Sequence, residues 1–386
     1  MRHLYLAATG QNRGKTTASL GLLDGFVRRG MRTGFMKPVG QRTVIEDGEP
    51  ADEDAVLMRT IFGLAEPYSV MSPVHIPRGF TKRYIAGDVV EDLSARIRDA
   101  HLEFRDHDVL LIEGTGHAGV GAVVGLSNAV VARLLGAPAV IVSEGGVGRP
   151  IDEIVLNASH FAAHGVPVAG AIVNKVRTAE QPGIERTLER GLARHGIPLL
   201  GVLPYRPILS NPTLGMILEG VGGRMIHPGR SLDRVIDDVA IGAMEPRHML
   251  ERVRPGTLVI VPGDREDVIL TITTAHLTGR ARAAALDRLV GATPGAVEAG
   301  PEGAAIGLLL TGGYEPRPEV LAAIHEAGLF AALVEDDTYP VASEVHDLLV
   351  KTHAADAGKI AMIKALVWEF LEIDRLLETA TEAAFA

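Results

Sequence analysis

The side chains best suited to chemistry lie near the start of the chain, in a glycine-rich segment that ends in lysine and threonine. An apolar run precedes this segment and a helical pattern follows it, which is the strand, loop and helix order of a phosphate-binding P-loop. The backbone N–H groups of such a loop point at a phosphate, and the helix dipole favours its negative charge. We therefore predict a bound nucleotide, with Lys15 on its β- and γ-phosphates and the Thr16 hydroxyl on Mg²⁺. The residues predicted to bind it are Gly10, Gln11, Asn12, Arg13, Gly14, Lys15, Thr16 and Thr17.

This loop departs from the standard pattern, which has glycine five residues before Gly14. That position is Thr9 here, and Gly10 follows it. The alternative is an ordinary strand-to-helix turn without a ligand. The position of Gly14-Lys15-Thr16 directly after the first predicted strand favours a variant P-loop.

Three charged residues follow predicted strands or open a predicted helix. Lys37 closes the second strand, where it would add positive charge over a phosphate or an anionic substrate; a solvated surface lysine is the alternative. Asp54 lies at a helix start, where acidic residues are common for dipole reasons alone, and is also a candidate Mg²⁺ ligand. Glu113 ends a buried strand, where an unpaired carboxylate is costly. Either Mg²⁺ or a structural salt bridge would compensate its charge.

Two further segments follow predicted strands. Gly114–Gly121 is a glycine-rich loop whose amides could hold a carboxylate or phosphate of a substrate, and His117 within it is more typical of a loop residue than of a catalyst. Asn174 and Lys175 end a later strand, where an amide side chain could contact adenine. An ordinary turn is the alternative for that pair.

Composition limits the classes of protein. A length of 386 residues suggests two or three domains. Hydrophobic content of 47% with only 4% aromatic residues suits parallel sheets covered by helices. The net charge of −10 argues against nucleic acid as a partner. The absence of cysteine excludes disulfides, thiolate metal sites and a cysteine nucleophile, and fits a cytoplasmic protein. No apolar run approaches ~20 residues, and the chain opens on a strand, so we expect neither a membrane span nor a signal peptide.

Residues 1–210 alternate strand and helix, which predicts a doubly wound, mainly parallel α/β sheet of the P-loop NTPase class. Ligands of such sheets bind beyond the carboxyl ends of the strands. The predicted strands are Leu4–Thr9, Thr33–Val39, Asp108–Gly114, Ala139–Glu144, Val166–Asn174 and Pro198–Pro204. The predicted helices include Val90–Asp106, Ala122–Leu135, Ile151–His164 and Ile184–His195.

A proline-bearing linker, Tyr205–Pro212, leads to a second and smaller α/β domain over residues 214–353. Its predicted strands are Val239–Ala243, Gly256–Val261, Ile306–Thr311 and Ala331–Val334, and its predicted helices are Glu245–Val253, Glu266–His276, Pro318–Ala327 and Tyr339–Lys351. Ala281–Gly303 is predicted to hold a short helix and a loop. A final amphipathic helix over 358–378 would cap this domain or pair with another subunit.

These motifs together resemble the dethiobiotin synthetase-like P-loop domain, which cobyrinic acid a,c-diamide synthases share in their N-terminal half. The matching residues are Thr9-Gly10, Gly14-Lys15-Thr16, Lys37-Pro38-Val39, Asp54, Glu113-Gly114 and Asn174-Lys175. The resemblance implies ATP, with Mg²⁺ held by Thr16, Asp54 and Glu113. It also implies that Asn174 contacts adenine. Lys15 and Lys37 become the candidate catalytic residues, acting on an oxyanion or phosphate.

The second domain resembles the DRTGG domain, through Ile260–Leu270 and Leu308–Gly313. In its relatives this module is regulatory. The two domains in this order resemble the N-terminal half of long phosphotransacetylases. Since nothing after residue 353 is long enough to supply an acetyltransferase domain, we expect that activity to be absent.

The loop residues Gln11, Asn12 and Arg13 differ from those of dethiobiotin synthetase, and its loop is two residues longer. We therefore expect a cytoplasmic ATP- and Mg²⁺-binding protein, a homo-oligomer and a possible slow ATPase, with a regulatory or sensory role and a small-molecule effector. The alternative is an ATP-dependent ligase that activates a small carboxylate or carbamate substrate. A third reading is an interaction module without hydrolysis.

Overall fold

The structure is a computed structural model and describes residues 1–177, 182–290, 305–348 and 350–383. The chain divides into two compact units. The first contains residues 1–206 and 352–386, and the second contains residues 207–351.

The first unit is built on a six-stranded parallel sheet, whose strands are β1 (Arg2–Ala8), β2 (Thr33–Met36), β7 (Val109–Glu113), β8 (Ala139–Glu144), β9 (Val168–Val176) and β10 (Leu199–Pro204). Their order across the sheet is β10-β9-β8-β1-β7-β2. Two-stranded pairs are formed by β3 (Val39–Gly40) with β6 (Val74–His75) and by β4 (Thr43–Glu46) with β5 (Glu49–Asp52). The predicted parallel α/β fold is confirmed, but the two small pairs were not expected, because strands of two to four residues leave no clear alternation in a sequence.

Helices cover both faces of this sheet, as continuous apolar strands require. They are α1 (Lys15–Arg28), α2 (Glu53–Phe62), α3 (Tyr68–Met71), α4 (Phe80–Ala86), α5 (Leu93–Leu102), α6 (Asn128–Leu134), α7 (Gly148–Ala163) and α8 (Ile184–Ala193). The predicted helix Ala122–Leu135 is interrupted: a single 3₁₀ turn, Ala122–Val124, ends at Gly125, and α6 begins after Ser127, whose hydroxyl accepts from the Val130 N–H.

Strand order places the charged residues of the sequence analysis at one edge of the sheet. β7 lies between β1 and β2, with Leu6 opposite Glu113 and Met36 opposite Ile112. Because Lys37 follows Met36 and the P-loop follows β1, the lysine, the carboxylate and the loop meet at the carboxyl ends of three neighbouring strands.

The second unit is built on a five-stranded sheet, whose strands are β11 (Arg224–His227), β12 (Asp238–Ile241), β13 (Thr257–Pro262), β14 (Gly307–Thr311) and β15 (Phe330–Leu333). Their order is β11-β15-β14-β13-β12, and among these five strands only β11 is antiparallel to its neighbour. Its helices are α9 (Pro207–Ser210), α10 (Leu214–Gly220), α11 (Pro246–Leu250), α12 (Glu266–Val290), α13 (Pro318–Ala327) and α14 (Thr338–Asp347). Alternate residues of β13 and β14 enter two separate cores, with Val259 and Leu308 in one and Ile260 and Leu309 in the other.

The C-terminal segment differs from the single helix that the sequence predicted. Residues 358–378 are not one helix, because Leu371 is extended and separates α15 (Ala357–Phe370) from α16 (Ile373–Glu382). Both helices belong to the first unit rather than capping the second. The Glu372 N–H donates to Leu200 O of the edge strand β10 at 2.9 Å, so this segment also pairs with the sheet edge.

Residues 291–303, more than half of the predicted Ala281–Gly303 segment, lie outside the described residues. Among the residues that the structure does describe, no helix is both long enough and apolar enough to cross a membrane.

Candidate functional site

The P-loop leads directly from β1 into α1. Gly14 is the N-cap of α1, with φ of 92°, and no side chain caps the helix. Asn12 is also left-handed, with φ of 57°, a conformation that asparagine tolerates better than most residues. The first N–H groups of α1 are therefore left for an acceptor outside the helix.

The backbone N–H groups of Arg13 and Gly14, at the end of the loop, are also left without an acceptor among the residues described. Within the described ranges, neither donates to a backbone or side-chain acceptor. Arg13 Nε is also buried and has no hydrogen-bond partner among those residues. Several unpaired donors around one glycine-capped helix start are the features that bind an anion such as phosphate.

Beside the loop, four predicted site residues come together. The Lys37 ammonium lies 2.6 Å from Asp54 Oδ2 and 2.8 Å from Glu113 Oε1. The Thr16 hydroxyl lies 3.1 Å from Asp54 Oδ1 and 3.4 Å from Glu113 Oε1. Lys37 and Glu113 are almost fully buried, whereas the Asp54 side chain is 26% exposed. Lys37 is thus held between two carboxylates and compensates their charge.

Burial and charge shift the protonation of this group. Burial, followed by the neighbouring Asp54 charge, raises the pKa of Glu113 to about 7. Burial alone would raise the pKa of Asp54, but the Lys37 charge outweighs it and lowers that pKa to about 2. Burial opposes the charged form of Lys37, yet Asp54 and Glu113 together raise its pKa. Lys15 has no carboxylate partner among the described residues, and burial, then the Lys37 charge, lower its pKa to about 8.

The donor set suits a small hard cation. Mg²⁺ prefers oxygen ligands, and a hydroxyl with two carboxylates at the mouth of a P-loop supplies them. In the described part of the chain no group of three or more His, Asp or Glu residues is arranged to hold a metal. A Mg²⁺ ion here therefore needs further oxygens from a nucleotide or water, which is usual for this ion.

Asn174 and Lys175 contact the backbone of the P-loop. Asn174 Nδ2 donates to Arg13 O at 3.1 Å, and Lys175 Nζ donates to Asn12 O at 2.6 Å. The sequence placed both residues at a strand end but gave no sign of these contacts, which join positions more than 150 residues apart.

The Gly114–Gly121 loop differs from the expectation of free amides. Asn128 Nδ2 donates to Thr115 O at 2.7 Å and to His117 O at 2.6 Å, and its Oδ1 accepts from Thr115 N at 3.1 Å. The Ala118 N–H donates to Asn157 Oδ1 at 2.8 Å. The N–H groups of Thr115 and Ala118 are therefore already paired within the chain, and the His117 side chain is exposed.

Sequence reasoning missed two glutamates on the other side of the loop. Glu144 ends β8 and accepts from the Arg13 guanidinium, while Glu153 of α7 accepts from the Thr9 hydroxyl at 2.7 Å. Thr9, the departure from the standard loop pattern, therefore has a specific partner. Glu144 ends a buried strand as Glu113 does, and that parallel was the available signal.

A six-stranded parallel sheet, a glycine-capped helix after its first strand and the Lys15-Thr16 pair define a P-loop NTPase-like α/β protein. Residues 2–213 match the family model AAA_26, described as an AAA domain, and the chain belongs to this family. Residues 216–348 match the DRTGG domain. The predicted combination of the two domains is confirmed.

The chain is similar to curated phosphate acetyltransferases. That of Pseudomonas putida is 30% identical over 392 residues, which cover 96% of this chain and 51% of the relative. That of Nitrosomonas europaea is 26% identical, with 90% and 47% covered. The chain thus spans about half the length of these relatives. Among solved structures, the septum site-determining protein MinD of Pyrococcus horikoshii, complexed with Mg-ADP, is 16% identical with a TM-score of 0.35, covering 54% of this chain and 83% of that one.

These relatives overturn the functional expectation drawn from the sequence. A regulatory ATP-binding protein without acetyltransferase activity is wrong as the leading interpretation, because proteins that match most of this chain are phosphate acetyltransferases. They do not favour the ATP-dependent ligase either. The error came from treating the length after residue 353 as informative about activity.

Proposed function

We propose that this protein acts in acetyl transfer to phosphate and that its P-loop domain binds Mg-ATP. The acetyl-transfer part is supported by the phosphate acetyltransferases to which 90–97% of the chain is similar. The nucleotide part is supported by one arrangement above all: unpaired N–H donors and Lys15 at the start of α1, beside the Thr16, Asp54 and Glu113 oxygens.

In this proposal each residue near the loop has a role. The N–H groups of residues 10–17 receive the phosphates, and Lys15 neutralises their charge. Thr16, Asp54 and Glu113 hold Mg²⁺, which supplies charge neutralisation for the phosphate oxygens. Lys37 holds the two carboxylates in place through its ion pairs with both, and its charge favours their ionised forms.

Calorimetric titration with ATP, in Mg²⁺ and in EDTA, tests the nucleotide part. Lys15→Ala removes a charge-assisted phosphate contact that is typically worth about 1.5–3 kcal/mol, so the Kd for Mg-ATP should rise about 10- to 150-fold. Lys82→Ala, on the exposed helix α4, is the matched control and should leave Kd unchanged. Equal affinity in Lys15→Ala and the wild type would refute the site.

The acetyl-transfer part needs its own assay. The purified chain is incubated with acetyl-CoA and inorganic phosphate, and acetyl phosphate is measured against a reaction without phosphate. Formation above that control supports the proposal. A chain that binds Mg-ATP yet forms no acetyl phosphate would refute acetyl transfer for this chain and leave the nucleotide site standing.

A further inference from the structure

Ser19 joins the P-loop helix to Glu113, one of the candidate metal ligands. It lies on α1 three residues after Thr16, so the two side chains share a face of the helix. The Ser19 hydroxyl donates to Glu113 Oε2 at 2.7 Å, while the Thr16 hydroxyl lies 3.4 Å from Oε1 of the same carboxylate. One face of α1 therefore contacts both oxygens of Glu113.

The hydrogen of the Ser19 hydroxyl is used for this contact. A serine inside a helix can instead bond the carbonyl oxygen one turn earlier in its own helix. Because a hydroxyl has a single hydrogen, donation to β7 takes the place of that local bond. Ser19 and Glu113 are both fully buried, so water cannot replace the bond between them if the hydroxyl is removed.

The Glu113 carboxylate needs such partners to keep one orientation. The last torsion of a glutamate side chain has a broad minimum, so the plane of the carboxylate is set by what its oxygens contact. Lys37 Nζ lies 2.8 Å from Oε1, and Ser19 holds Oε2. With Oε2 bonded to Ser19, Oε1 is the oxygen that lies beside Lys37 and Thr16.

We propose that Ser19 is a positioning residue, which fixes the Glu113 carboxylate so that Oε1 joins the Thr16 and Asp54 oxygens in binding Mg²⁺. This inference rests on the proposed Mg-ATP site. Because Ser19 is fully buried, it acts through Glu113 and not by contact with the ion or the nucleotide. Loss of its hydroxyl should therefore weaken the Mg²⁺-dependent part of binding and leave the binding of metal-free ATP unchanged.

The test separates the metal from the nucleotide. The Kd for ATP is measured by calorimetry in EDTA and in saturating Mg²⁺, in the wild type and in Ser19→Ala, and the ratio of the two Kd values is the gain in affinity from Mg²⁺. Removing a residue that orients a metal ligand typically lowers metal affinity about 10- to 100-fold. In Ser19→Ala the gain should therefore shrink at least about tenfold or vanish, with the Kd in EDTA as in the wild type.

Ser127→Ala is the matched control. It also removes a buried serine hydroxyl from the first unit, but that hydroxyl caps α6 by accepting from the Val130 N–H at 3.2 Å. It should lower the urea midpoint, as Ser19→Ala does, and leave the gain from Mg²⁺ unchanged. Ser19→Cys keeps nearly the same side-chain volume with a weaker donor, so its gain should be intermediate. It decides between the same outcomes if Ser19→Ala does not fold.

The outcomes distinguish this inference from the proposed function. A wild type that binds no ATP overturns both. A wild type that binds ATP but gains nothing from Mg²⁺ overturns the metal part of the site and the positioning role, and leaves nucleotide binding. The positioning role alone is overturned if Ser19→Ala keeps the full gain, if it loses affinity equally with and without Mg²⁺, or if Ser127→Ala shrinks the gain as much.

Discussion

The packing of the C-terminal helices on the P-loop helix can be tested at Gly21. This residue lies on α1, six residues after Lys15, and faces Val367 of α15. A Cβ added at Gly21 would lie 2.8 Å from Val367 Cγ1 and closer still to its Cγ2 and Cβ. Real Cβ atoms do not approach other atoms below 3.0 Å, so Gly21→Ala forces α15 away from α1.

Two opposing terms set the size of the effect. Alanine in place of glycine inside a helix stabilises it by roughly 0.5–1 kcal/mol. Overpacking a filled contact costs about 1–3 kcal/mol. We therefore expect Gly21→Ala to lower the free energy of unfolding by about 1–2 kcal/mol. Gly358→Ala, at a helical glycine with nothing within 4 Å, is the control and should cause no loss.

The chain's single tryptophan provides the assay. Trp368 lies on α15 next to Val367, half-exposed, with its ring 5.1 Å from the Arg28 guanidinium of α1. Its fluorescence during urea unfolding therefore reports on this contact and on the first unit, rather than on the whole chain.

A double mutant gives the decisive comparison. Val367→Ala alone removes buried methyl groups and should cost on the order of 2 kcal/mol. In Gly21→Ala/Val367→Ala the new methyl occupies the space that valine leaves, so the double variant should be at least 1 kcal/mol more stable than the sum of the single effects predicts. Simple additivity, or a Gly21→Ala variant as stable as the wild type, would refute the packing argument.

Three further predictions concern the first unit. Lys37→Met leaves Asp54 and Glu113 without their counter-charge and should lower the free energy of unfolding by about 3–5 kcal/mol. Because the pKa of Glu113 is raised to about 7, its carboxylate is charged at pH 8 but largely protonated at pH 6, so the loss should be larger at pH 8. A loss that does not change with pH in urea titrations would contradict this. Burial, and then His101, lower the pKa of His3 to about 4, so the unfolded state takes up protons first and stability should fall between pH 6.5 and pH 4. His3→Gln should make the Trp368 unfolding midpoint less sensitive to acid over that range, and an unchanged pH slope would count against it. Deleting residues 352–386 should expose α1 and the edge of β10 and cause residues 1–206 to aggregate or lose cooperative unfolding by circular dichroism, and a truncated chain of unchanged midpoint would show that the segment is dispensable.

The sequence by itself determined the parallel α/β architecture and the place of the P-loop. Continuous apolar runs such as Val109–Ile112 are typical of strands buried on both faces, and this one is fully buried in β7. Gly14-Lys15-Thr16 at the junction of an apolar run and a helical pattern is equally local. The loop follows β1 and α1 begins at Lys15 because neighbouring residues alone set these features.

Local patterns also placed Lys37, Asp54 and Glu113 at element ends, but not relative to each other. Their contact depends on β7 lying between β1 and β2, a strand order that no single segment encodes. For the same reason the sequence suggested a lysine over a phosphate, whereas the structure holds its ammonium between two carboxylates.

Tertiary structure alone decided the remaining contacts of the site and the surface on which the C-terminal helices pack. The contacts of Asn174 with Arg13 and of Val367 beside Gly21 join positions about 160 and 350 residues apart. An amphipathic pattern shows that a helix has an apolar face, but not which surface will cover it. The covering surface here is a pair of glycines on α1, Gly21 and Gly25, whose missing side chains leave room for Val367 and Ile373. Such complementarity exists only when the two helices meet, because it depends on the shapes of both surfaces and not on the period of either one.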